Sequence, residues 1–97
     1  MIRHIVLFSA KEPEDLPLIR ATLSRLAEIP EALRLEVAPN ARRDGLSAEI
    51  DLVVYGEFAD FAALDRFKAH SLYAESVAVV RPRRELRIAV DYEVPPG

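Results

Sequence analysis

Apolar and polar residues alternate from the first residues of the chain. Ile2, His4, Val6 and Phe8 fall on one face of a strand over residues 2–9, and Ile5 and Leu7 fall on the other. Both faces are largely apolar, so both call for cover. From Leu16 the period changes. Leu16, Ile19, Leu23 and Leu26 recur at spacings of three or four, the stripe of an amphipathic helix, with Arg20, Ser24, Arg25 and Glu28 largely off it. Pro13 and Pro17 suit a loop or a first helical turn, and Glu14 and Asp15 suit the positive end of a helix dipole. Pro30 ends the helix by disfavouring helical geometry at Ile29.

Residues 33–38 alternate again, Leu33, Leu35 and Val37 against Arg34, Glu36 and Ala38, and predict a half-buried strand. Pro39 to Ser47 is a polar loop with Asn40, Asp44 and Gly45 as turn formers. Residues 49–58 predict a long strand with Ile50, Leu52 and Val54 on one face and Val53 and Tyr55 on the other. Asp60 is placed to cap a helix marked by Phe61, Leu64 and Phe67 and running to about His70. Ser71 is placed to cap a second helical piece, Leu72 to Val79, which Pro82 stops. Residues 84–93 form the last strand, with Leu86, Ile88, Val90 and Tyr92 on one face, and Pro95-Pro96-Gly97 reads as a frayed end.

The order β-α-β-β-α-β, with its second helix broken, predicts an α+β chain of ferredoxin-like type, one domain over residues 1–97. Its four-stranded antiparallel sheet carries helices on one face. The other face then presents Ile5, Leu7, Val53 and Tyr55 to solvent. An apolar sheet face of that kind marks an interface, and two copies packed face to face are the simplest cover. A homodimer is therefore the expected partner arrangement.

Composition narrows the classes. At 97 residues the chain buries only roughly 60–70% of its unfolded surface, so a partner surface helps its stability. With 51% hydrophobic and 30% charged residues it is neither a disordered chain nor a membrane span, and no run approaches the roughly 20 apolar residues a spanning helix needs. The apolar start is too short for a signal-peptide core, which leaves the cytoplasm as the expected location. Zero cysteines exclude disulfides, thiolate metal sites and a cysteine nucleophile. A net charge of -3 argues against nucleic acid, and Arg42, Arg43, Arg81, Arg83 and Arg84 read as solvated loop and strand-entry charges. Three glycines are too few for a phosphate loop, and no serine sits in a nucleophile motif.

Several segments in order resemble the stress-responsive A/B barrel (Dabb) family. These are Ile2-Arg3-His4-Ile5-Val6-Leu7-Phe8, Glu36-Val37-Ala38-Pro39-Asn40 (with Ala38 where glycine is usual), Asp51 to Phe58, Ala63 to His70, and Val90-Asp91-Tyr92-Glu93. The resemblance implies a ferredoxin-like subunit and a homodimeric barrel, and little about chemistry. A few plant relatives are polyketide cyclases, and His4 matches their first-strand histidine. Phe67 stands where they use tyrosine, Tyr73 where they use a second histidine, and Ser71 where their motif has proline. One position of three is kept, so the resemblance does not carry their mechanism onto this chain.

Individual residues admit two readings each. His4 has the right chemistry for a general base near neutral pH, and equally for a buried, hydrogen-bonded core imidazole. His70 ends a helix, where a cation is favoured by the dipole. Tyr73 has a phenol that suits a ligand carbonyl, or a ring that simply packs. Phe67, Phe61 and Phe58 read as core, Asn40 as the side chain of an Asx turn. No spacing argues for a metal, and no cofactor is implied.

Three functions follow. The first is a homodimer that binds a small apolar or aromatic molecule between sheet and helices, in a pocket lined by His4, Phe67, His70 and Tyr73. The second is a small cofactor-free enzyme, cyclase-like or monooxygenase-like, with His4 as base and Tyr73 as hydrogen-bond donor. The third is a structural or stress-protective dimer without a ligand site.

Overall fold

The structure, a computed structural model, describes residues 1–95; the Pro96-Gly97 part of the expected frayed end lies outside them. The strands are β1 (Ile2–Ala10), β2 (Arg34–Pro39), β3 (Leu52–Phe58) and β4 (Arg84–Glu93). The helices are α1 (Leu16–Ser24), α2 (Phe61–Ala69) and α3 (Ser71–Val80). The strands form one antiparallel sheet in the order β2-β3-β1-β4, the ferredoxin-like arrangement that the element order predicts. No helix among the described residues is long and apolar enough to cross a membrane.

The core lies between the sheet and the helices. β1 contributes Ile2, Val6 and Phe8, β3 contributes Leu52, Val54 and Phe58, and the helices answer with Ile19, Leu23, Leu64, Phe67 and Val80. The 16–29 helix tightens to a 3-10 turn over Arg25–Glu28, and Leu26 and Ile29 stay buried through it. Asp60 caps α2 as its sequence position predicts, accepting from the Ala63 amide at 2.8 Å.

Two boundaries differ from the sequence reading. β3 begins at Leu52 rather than at residue 49, because a 3-10 turn at Gly45–Ser47 takes the amide of Ile50 onto the Ser47 carbonyl. Asn40 fixes this loop from inside. Its Oδ1 accepts from the Arg42 amide, the Asx turn expected of it, and its Nδ2 donates to the carbonyls of Ser47 and Ile50. The cap of α3 is His70, not Ser71: the Leu72 amide donates to His70 Nδ1 at 3.0 Å. His70 thus stands at the junction, ending α2 and capping α3.

Cross-strand register decides what each face of the sheet displays. Ile5 pairs with Tyr55 and Val90, and Leu7 pairs with Val53 and Ile88. These six residues share the face away from the helices. Ile88, Val90 and Tyr92 are 45%, 53% and 42% exposed there. β4 is an edge strand that the helices leave uncovered, and its apolar row points to the open side while Arg87 and Asp91 lie on the helix side.

Candidate functional site

The site grows from one strand position. His4 lies on the helix-facing row of β1 among Ile2, Val6 and Phe8, and is 2% exposed. On one side it faces Gly56 of β3, and on the other Asp91 of β4. Its Nδ1 meets Asp91 Oδ1 in a short hydrogen bond. Burial holds the imidazole below its ordinary pKa, while the Asp91 hydrogen bond and charge pull the other way and Lys68 and Arg87 add to the lowering. The ring is accordingly neutral near pH 7, and the contact is a hydrogen bond from Nδ1–H to a carboxylate rather than a salt bridge. That tautomer leaves Nε2 as the acceptor, with no hydrogen-bond partner among the described residues.

An edge-to-face chain of rings connects His4 to α3. The His4 ring meets Phe58 with centroids 6.1 Å apart, Phe58 meets Phe67 at 4.8 Å, and Phe67 meets Tyr73 at 5.5 Å. Gly56 makes the first contact available. A Cβ at Gly56 would fall 2.9 Å from the Phe58 ring, which is fully buried.

Above His4 lies a recess between β1, β3, β4, α1 and α3. His4, Phe67 and Tyr73 line it together with apolar residues such as Val6, Leu23 and Val54. Its volume is about 30 Å³. That holds a water molecule or two, whereas a cavity that takes benzene measures about 150 Å³. A ring-sized guest therefore requires the mouth to widen where Tyr73 and Val77 are only half-buried. A larger groove of about 590 Å³ runs between α1 and the β2–β3 loop, but it is shallow and its polar groups already bind one another: Arg42 pairs with Asp51, and Asp51 also accepts from the Ala10 amide.

His70, grouped with these residues on sequence grounds, is not part of the lining; its ring is spent on the α3 cap. Ile5, Leu7, Val53 and Tyr55 lie together on the open face, where the Tyr55 hydroxyl donates to Glu57. Among the described residues no group of three His, Asp or Glu side chains converges as a metal site.

The sequence reading missed four lining or supporting groups: Asp91 as the partner of His4, and Ser76, Arg84 and Arg87 in the wall of the recess. The available signal was the parity of β4. Its apolar residues occupy the even positions, so Arg87 and Asp91 had to share the opposite face.

The domain model described as the stress responsive A/B barrel domain matches residues 2–94. The chain belongs to the Dabb family. Among solved structures, this Dabb chain is similar to a Dabb family protein with a ferredoxin-like fold from Mesorhizobium loti, at 26% identity over 99% of this chain and 97% of the other, with a TM-score of 0.80. It is also similar to a dimeric ferredoxin-like protein of unknown function from Thermobifida fusca (23% identity, 96% and 90% covered, TM-score 0.82). A third likeness, at 19% identity with 99% and 100% covered and a TM-score of 0.79, is to an antibiotic biosynthesis monooxygenase. No curated protein matches the chain in sequence.

Proposed function

We propose that this Dabb protein acts as a homodimer whose recess above His4 binds a small apolar or aromatic molecule. The observation that carries the reading is a buried, neutral imidazole fixed by Asp91 at the wall of a recess, with a free Nε2. A core histidine kept only for packing has no need of an adjacent space. The dimer is supported by the apolar open face and by the Thermobifida fusca neighbour, a dimeric protein.

The test is a titration with a set of single-ring aromatic fragments, followed by melting temperature and by NMR shifts. Binders are expected to raise the melting temperature and to move the signals of His4, Phe67 and Tyr73. If none binds, or if binders move only residues outside the recess, the reading fails and a purely structural dimer takes its place.

One observation also favours an enzyme. A neutral His4 held by Nδ1 has the form of a general base, with Nε2 available to take a proton from carbon beside a carbonyl and the Tyr73 hydroxyl available to hydrogen-bond the enolate oxygen. Deuterium exchange at the α-carbon of cyclohexanone in heavy water, slow at neutral pH without a base, tests it. The wild type should speed exchange and His4→Ala should not. Equal rates for the two proteins remove His4 from any proton transfer.

A further inference from the structure

Two arginines reach the recess by an irregularity of β4. Along a regular strand, residues three apart point to opposite faces. Arg84 and Arg87 are three apart, yet both line the recess. The register explains why. Ser9 pairs with Leu86 but Ala10 pairs with Arg84, so Glu85 is an extra residue with no partner on β1. This bulge turns Arg84 to the helix side, beside Arg87, which pairs with Phe8.

Both residues are half-buried, and neither has an ion-pair partner among the described residues. The cost of this arrangement shows in Arg84, whose charge is disfavoured by burial and then by the neighbouring Arg87 and Arg81. Two like charges brought together at the edge of an apolar recess, with no acid to answer them, call for an anion from outside. The apolar walls, Val6, Leu23 and Val54 among them, offer nothing to a charge.

We propose that the recess selects a small carboxylate, its apolar body toward Val6 and Val54 and its carboxylate held by Arg84 and Arg87. A guanidinium presents parallel N–H donors that match the two oxygens of a carboxylate, which gives orientation as well as attraction. The bulge is the device that makes the site: it supplies two forks where a regular ladder would supply one. His4 Nε2 then meets the body of the guest rather than its charged end. The inference rests on the reading of the recess as a binding site.

The experiment compares benzoate with benzamide, which has nearly the same shape and no charge, on the full-length wild type and on Arg84→Gln/Arg87→Gln. Affinities are read from NMR titration of the recess signals. The wild type should bind benzoate about tenfold or more tightly than benzamide, the size of one charge-assisted hydrogen bond. The double variant should lose that preference, and an unchanged amide NMR spectrum outside the recess shows that it is folded. Equal binding of the two probes by the wild type, or a preference that survives in the double variant, overturns the carboxylate site and leaves the recess as a binding site. Failure of both probes to bind the wild type overturns both readings together.

Discussion

His4 and Asp91 sit opposite one another on the β1–β4 ladder, on the side of the sheet that faces the helices, and the ladder register alone brings imidazole and carboxylate into contact. They are 87 residues apart in sequence. The pairing of the first and last strands therefore both closes the sheet and builds the site.

The depressed pKa of His4 has a signed consequence for stability. Between the lowered folded pKa and the unfolded value near 6.5, the unfolded chain binds the proton more readily than the folded one. Stability from this group is fully present above about pH 6.5 and is lost as pH falls toward the folded pKa. Urea unfolding at a series of pH values should show this decline, and His4→Gln should flatten it. A slope unchanged by the substitution would place the acid sensitivity elsewhere.

Asp91 opposes the effect of burial on His4, so its removal should enlarge the shift. Asp91→Asn is expected to move the His4 midpoint further down, measured by NMR titration of the ring protons. An upward movement would mean that the carboxylate does not stabilise the imidazolium.

Gly56 is required for space. A methyl group there drives into the Phe58 ring, which is packed against His4 and Phe67 and has no free volume to enter. Gly56→Ala should cost about 1–3 kcal/mol by chemical denaturation, the usual range for overpacking a core. It should also shift the His4 and Phe67 signals. A neutral substitution would show that the ring can turn aside.

Val53 lies in the middle of the open face, in the row with Leu7 and Ile88. Val53→Asp should convert the proposed dimer to a monomer, and light scattering should report 10.9 kDa in place of twice that mass. A dimer that tolerates the aspartate would place the interface on another surface.

Much of the fold was legible because it depends on periodicity. The alternation of Ile2, His4, Val6 and Phe8, the stripe of Leu16, Ile19 and Leu23, and the cap at Asp60 are local signals, and each forms the element it predicts. The dual character of β1 and β3 was also visible, since both of their faces are apolar. The site was legible only in part. His4, Phe67 and Tyr73 fall together because their strand or helix faces could be assigned. His70 misled because a histidine at a helix junction looks the same whether it ends one helix or caps the next. The facing of Arg87 and Asp91 was readable from the parity of β4, but the contact of Asp91 with His4 depended on strand register and the place of Arg84 on a bulge, which are relations between distant segments.

The bulge at Glu85 makes β4 tolerant of residue count in an uncommon way. Glu85 does not line the recess; its contribution is one unpaired place in the strand. Removing it would leave every other residue of β4 intact and the ladder more regular. Arg84 would then adjoin Leu86, still opposite Ala10 and still on the recess side with Arg87. At this point in the chain, a residue can be lost without a change of side.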